Sequence, residues 1–177
     1  MKILVLMGSP NPHGSTFLLA DAFRQGAQEG GHEVQMIDVA RTRVSPCGGC
    51  VACGYDGPCV KRDDMERIGT ALLEAEMLVL ATPLYYYGMS AQLKTVIDRF
   101  CALNGRIQRK HMKSALLSVA WNADGWTFEA LEAHYHTLVR YLNFQDQGMV
   151  LGRGCGTPSM TRSSIYPGQA RQLGRNL

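Results

Sequence analysis

Short apolar runs, each stopped by a turn and separated from the next by a helix-length stretch, leave few folds open to this chain. Ile3–Met7 is apolar throughout and is stopped by Gly8, as expected of a central parallel strand covered on both faces. Leu19, Ala22, Phe23 and Ala27 then recur at near-helical spacing as far as the Gly30-Gly31 pair. His32–Ile37 reads as a second strand. A helix restarts at Asp63, where Asp63 and Glu66 have capping-box spacing and Met65, Ile68 and Leu72 are its apolar positions. Met77–Ala81 is a third strand, and Ser90 opens a helix with Leu93, Val96, Ile97, Phe100 and Cys101 on one face. Ala115–Ala120 is a fourth strand, followed by a helix from about Thr127 and a fifth strand over Gln147–Leu151. A tail rich in Gly, Ser, Pro and Arg leads to a short helix from about Gly168. Five strands alternating with five helices predict one α/β domain over residues 1–177, doubly wound around a parallel five-stranded sheet with helices on both faces.

Composition narrows the function classes. A net charge of +3 is too small to argue for nucleic-acid or membrane binding. No apolar run approaches the ~20 residues that span a bilayer. The apolar N-terminus runs straight into a turn with no small-residue cleavage site, so it reads as a buried strand and not as a signal peptide, and the expected location is cytoplasmic. The five histidines show no metal-ligand pattern.

Three strand-end turns carry the chemistry. After the first strand, Gly8-Ser9-Pro10-Asn11-Pro12-His13-Gly14 leads into Ser15 and Thr16. Glycines let the backbone approach a ligand, while hydroxyls and the first free N–H groups of a helix bind an anion. The turn lacks the Lys of a triphosphate loop and the G-x-G-x-x-G of a dinucleotide site, so a monophosphate suits it best; the plain alternative is a capped turn. The third strand ends in Thr82-Pro83-Leu84-Tyr85-Tyr86-Tyr87-Gly88, and in a sheet of order 2-1-3-4-5 this loop lies beside the phosphate turn. Its tyrosines can wall a planar polar ring, although one or two of them can equally be core. The Trp121-Asn122-Ala123-Asp124-Gly125 turn after the fourth strand adds aromatic surface and amides at the same edge.

Four of the six cysteines, Cys47, Cys50, Cys53 and Cys59, follow the spacing C-x2-C-x2-C-x5-C in a segment without helical period. Thiolates this close can wrap one small inorganic centre. Zinc more often takes two separated pairs, and an empty, thiol-only loop is the remaining reading. Cys101 is expected in the core and Cys155, between two glycines, at the surface.

Together, Gly8-Ser9-Pro10, Cys59 followed by Asp63-Asp64-Met65, Pro83-Leu84-Tyr85, and Leu93-Lys94 with Asp98-Arg99 make the chain resemble the NADPH-dependent FMN reductase and iron–sulfur flavoprotein branch of the flavodoxin-like fold. The resemblance implies FMN at the carboxyl edge of the sheet, its phosphate on Ser9, Asn11, Gly14, Ser15 and Thr16. The ring would lie against Pro83, Leu84, Tyr85, Tyr86, Tyr87 and Gly88 and against the turn of Trp121, Asn122 and Gly125. The usual basic residue of the phosphate turn is Asn11 here. In the iron–sulfur branch the compact cysteine motif holds a [4Fe–4S] cluster, with Cys47, Cys50, Cys53 and Cys59 at the matching positions. A homodimer, or a dimer of dimers, with the flavin near the subunit contact is also implied. The basic run Arg106-Ile-Gln-Arg109-Lys110-His111-Met-Lys113 reads as a solvated loop or, more sharply, as a site for an anionic partner such as the phosphates of a nicotinamide cofactor.

The expected function is that of an FMN-dependent oxidoreductase taking electrons from NAD(P)H, or from a reduced protein carrier, to a small-molecule or protein acceptor. The alternatives are a non-catalytic iron–sulfur flavoprotein electron carrier and a flavin-free metal-binding or regulatory module.

Overall fold

A computed structural model describes residues 1–177. Strands β1 (Lys2–Met7), β2 (Glu33–Asp38), β3 (Met77–Pro83), β4 (Lys113–Val119) and β5 (Gln145–Gly152) form one all-parallel sheet of order β2-β1-β3-β4-β5, the order read from the sequence. Seven helices surround it: α1 (Ser15–Glu29), α2 (Met65–Glu74), α3 (Ala91–Asp98), α4 (Asn104–Lys110), α5 (Glu129–Tyr141), α6 (Pro158–Arg162) and α7 (Tyr166–Arg175). Alternation of side chains along each strand sends them to two cores. Leu4, Leu6, Leu78, Leu80 and Leu116 pack with residues of α2, α3 and α5. Ile3, Val5, Met7, Met77, Val79, Ala81, Ala115 and Leu117 pack with residues of α1 and α7. Every residue of β3 is buried, which is why its first five residues, Met77–Ala81, are apolar without a break.

Three local expectations are corrected. The capping box at Asp63 does not close: Asp63 accepts from the Met65 N–H (3.1 Å), but Glu66 turns away to Arg62 (3.1 Å). The helices number seven, because α4 and α6 were not read from the sequence. The basic run is not a solvated loop. Most of it forms α4, where Arg106 (3.3 Å) and Arg109 (2.7 Å) hold Asp56 of the cysteine loop and Lys110 donates to the Leu73 carbonyl (2.7 Å). The tail also packs more closely than its composition suggests. A Cβ on Gly26 would meet the Arg171 carbonyl oxygen at 1.9 Å, and one on Gly174 would meet that of Phe23 at 2.3 Å, so α1 and α7 cross backbone to backbone. Arg171 and Arg175 both bind Glu29 and hold its carboxyl down to about 2. No helix is long and apolar enough to cross a membrane.

Candidate functional site

The turn after β1 is shaped by close contact. A Cβ on Gly8 would lie 2.7 Å from the Leu93 Cβ, and Ser90 Oγ donates to the Gly8 carbonyl at 2.7 Å. This bond ties the turn to the start of α3. The turn itself is braced by Asn11, whose N–H donates to Ser9 Oγ (3.2 Å) and whose Oδ1 accepts from the His13 N–H (3.1 Å). Gly14 then leads into α1 without a side-chain cap, and no acidic residue stands in the first turn. The first N–H groups of a helix have no partner within it, and here they meet buried hydroxyls: Ser15 and Thr16 are 8% and 2% exposed. Ser15 Oγ is buried with no hydrogen-bond partner.

Those groups open onto a cavity of about 380 Å³ at the carboxyl edge of the sheet. Ser9, Asn11, Gly14, Ser15 and Thr16 line it from the first turn, Pro83, Leu84 and Tyr85 from the end of β3, and Val119, Ala120 and Trp121 from the end of β4. Tyr86, Tyr87, Gly88, Asn122 and Gly125 stand outside the lining. Tyr85 and Gly88 exchange two backbone hydrogen bonds of 3.1 Å, closing a two-residue hairpin with Tyr86 and Tyr87 at φ 45° and 64°. Two bulky residues in the left-handed region are strained. Tyr86 projects into solvent, while the Tyr87 ring rests on Trp126 with centroids 5.1 Å apart.

The fourth wall, Cys155, Gly156 and Pro158, was missed in the sequence. Its signal was the glycine-bracketed turn directly after the fifth strand, which is also a carboxyl-edge turn. A Cβ on Gly156 would fall 1.9 Å from a Trp121 ring atom, so only glycine lets that indole lie across the cavity's edge. Cys155, expected at the surface, is buried, its Sγ directed to Ser164 Oγ (3.7 Å).

The cysteine loop is built differently. Its neck is laced by the Arg43 N–H to Asp64 Oδ2 (2.7 Å), the Asp64 N–H to the Arg43 carbonyl (3.2 Å) and the Ser45 N–H to Asp63 Oδ2 (3.0 Å). Gly49 and Gly54, at φ 66° and 55°, supply two of its sharp turns. Cys47, Cys50, Cys53 and Cys59 line one small cavity of about 20 Å³ beside Arg99. No three His, Cys, Asp or Glu side chains converge closely enough to hold one metal ion. A cluster asks for something else: its four thiolates bind different irons, so they surround a space and do not meet at a point. Cys101 is not a core residue as expected. It is half-buried in the wall of the same cavity. Burial first, then the neighbouring Cys53 and Cys47, push its thiol up to about 11.

Residues 1–150 match the sequence profile of a family described as NADPH-dependent FMN reductase. The chain belongs to that family. Among its relatives, an iron–sulfur flavoprotein of Methanocaldococcus jannaschii is 34% identical over 125 residues, covering 71% of this chain and 65% of that protein. An iron–sulfur flavoprotein of Archaeoglobus fulgidus is 35% identical over 99 residues, 56% of this chain and 45% of that one. The matched region is thus less than two thirds of the length of either relative. Among solved structures, an NAD(P)H:quinone oxidoreductase from Methanothermobacter marburgensis superposes with a TM-score of 0.80 at 18% identity, covering 99% of this chain and 95% of that one, which shows a shared flavodoxin-like fold. The family match spans β1 to β5 and ends before Cys155, Gly156 and Pro158. The fourth wall of the cavity therefore lies outside the residues that the family profile matches.

Proposed function

We propose that this chain is an FMN-dependent NAD(P)H oxidoreductase whose flavin sits in the carboxyl-edge cavity. The observation that carries the reading is the partnerless, buried Ser15 hydroxyl at the uncapped N-terminus of α1, opening onto the same cavity as Pro83, Leu84, Tyr85 and Trp121. A hydroxyl buried without a partner is costly, and a phosphate would satisfy it. No charged side chain lines the cavity, so the helix dipole, backbone N–H groups and the Ser9, Ser15 and Thr16 hydroxyls would do the binding. Asn11 braces the turn from within. Pro83 and Leu84 would form a stiff apolar rim for a ring, its position fixed because the Leu84 N–H already donates to the Val119 carbonyl (2.8 Å). Tyr85 and Trp121, both exposed, would flank the ring. FMN, when bound, supplies hydride acceptance and single-electron release; the protein contributes position and exclusion of water, and no protein acid or base is assigned.

Cys47, Cys50, Cys53 and Cys59 are the ligands we assign to a [4Fe–4S] centre, which would pass single electrons between the flavin and an acceptor. Two relatives bearing the name iron–sulfur flavoprotein support this, as does the lining of a single pocket by all four thiols, which have to spread from the present space of about 20 Å³ to admit the centre. The exposed Tyr86, Trp121 and Trp126 at the flavin edge support a second copy of the chain packing there.

An anaerobic visible spectrum combined with flavin, iron and sulfide analysis tests both cofactors. Bound FMN with NAD(P)H oxidation in the presence of an added acceptor is the expected result. Full flavin loading without turnover would favour the electron-carrier reading, and a colourless protein that takes up no FMN would overturn the flavoprotein reading.

A further inference from the structure

The sequence marks Arg99 only as part of an Asp-Arg pair, yet its surroundings give it a task. The residue follows α3, and its side chain is 2% exposed. Nη1 donates to the Ser45 carbonyl (2.8 Å) and to Asp63 Oδ2 (2.7 Å). The same Asp63 oxygen accepts the Ser45 N–H at 3.0 Å. Ser45 stands just before the first loop cysteine and Asp63 just after the last, so one guanidinium and one carboxylate bind both stems. A simple Arg–carboxylate pair would be bidentate. Here Nη1 alone takes both oxygens, and Nε remains buried without a partner. Beside it lies Cys59, with which Arg99 lines the thiol cavity and the groove on its other side.

We propose that Arg99 is the positioning residue of the cysteine loop. It clasps the two stems through Ser45 and Asp63 and thereby fixes Cys59 against a permanent positive charge. The clasp stands on geometry alone. The charge effect rests on the iron–sulfur reading above: a buried cation beside a ligand sulfur favours whichever state of the centre holds more electrons, because hydrogen bonds to sulfur and local charge set cluster potentials. Removing it should lower the reduction potential.

The test uses the whole chain as Arg99→Lys, Arg99→Met and the double variant Arg99→Met/Asp63→Asn, the last leaving no buried carboxylate unpaired. Trypsin cleavage after Lys61 and Arg62, at the loop's exit, is compared with cleavage after Arg24 within α1. In the iron-free chain, loop cleavage should rise about 100-fold in Arg99→Met, as expected when one partner of a buried pair is lost. Arg24 cleavage should change far less, and Arg99→Lys should restore part of the protection. Equal acceleration at Arg24, or none at the loop in either Met variant, would overturn the clasp. In the iron-loaded protein Arg99→Met should show a lower midpoint potential at full iron and sulfide content, with Arg99→Lys close to wild type and the double variant, which loses a negative charge together with the positive one, shifted less. An unmoved potential would overturn the charge effect. Wild-type protein lacking iron and sulfide would overturn the centre, and the charge effect with it, while the clasp would still be decided by cleavage.

Discussion

The carboxyl-edge cavity and the cysteine loop are held by opposite means. At the edge, every lining residue lies at a strand end, in the turn that leaves it or in the first turn of the helix that follows, so its placement inherits the rigidity of a sheet whose central strand β3 is wholly buried. Between Thr42 and Asp64 the chain has neither strand nor helix. It is held from outside, by Arg99 at the neck, by Arg106 and Arg109 on Asp56, and by the Gly105 N–H donating to the Tyr55 carbonyl at 3.2 Å. One site is specified locally and the other by residues far along the chain. The two should therefore fail separately.

Separation is broken most severely by removing ligands. Cys50→Ser combined with Cys53→Ser should abolish iron and sulfide binding while FMN affinity, measured by fluorescence titration, stays within about twofold, because the two linings share no residue and sites without shared partners act independently. Loss of flavin along with the iron would show that the loop supports the cavity after all.

Next in size is Ser15→Ala. A hydrogen bond to a charged group contributes about 1.5–3 kcal/mol, so FMN should bind roughly 10- to 150-fold more weakly, with iron content unchanged. The flavin-free variant should melt no lower than wild type, because its hydroxyl has no partner to lose. A melting loss without an affinity loss would mean that Ser15 serves the fold and not a phosphate.

The same contrast explains what could be read in advance. The strands and three of the cavity's four walls follow from apolar runs and the turns that stop them, signals confined to a few adjacent residues, whereas the strand order came with the family resemblance. That Tyr86 and Tyr87 stand outside the cavity was not legible, because a tyrosine run announces aromatic surface but not the left-handed hairpin that carries two of its residues past the rim. The Cys155–Pro158 wall was obscured by a glycine-rich composition that reads as irregular tail. Arg99 was invisible as a clasp because its partners, Ser45 and Asp63, lie 54 and 36 positions earlier, and Cys101 was read by its helix face although the loop folds over it.

Acid should act on the loop selectively. Burial alone would raise the Asp63 carboxyl, but hydrogen bonds from Arg99 and from the Ser45 and Met65 N–H groups hold it below the usual range. Asp56 is likewise depressed, chiefly by Arg109. A carboxylate with a depressed folded-state pKa contributes stability above its unfolded value near 3.9, and that contribution is lost as pH falls through the folded value. Below about pH 4, therefore, hydrogen exchange of the Ser45 and Met65 amides should accelerate before that of β3. No Asp or Glu lines the carboxyl-edge cavity, so its amides should show no matching transition. Simultaneous loosening of both would mean that acid unfolds the chain as a whole.

The smallest expected effect concerns Cys101, a fifth thiol in a cavity whose spacing motif accounts for four. If the motif alone supplies the ligands, Cys101→Ser should leave iron, sulfide and FMN binding within about twofold of wild type, as a substitution outside both ligand sets should. The thiol itself should still be distinguishable. With its pKa pushed up to about 11 by burial and by Cys53 and Cys47, it carries little thiolate at pH 8, and thiolate is the form that reacts. In iron-free protein, iodoacetamide should therefore label Cys101 more slowly than the exposed Cys47 and Cys50, as read by peptide mass spectrometry. Faster labelling of Cys101, or a loss of iron in Cys101→Ser, would make it a working member of the set, and the loop would then depend on the fold at one of its own ligands as well as at its neck.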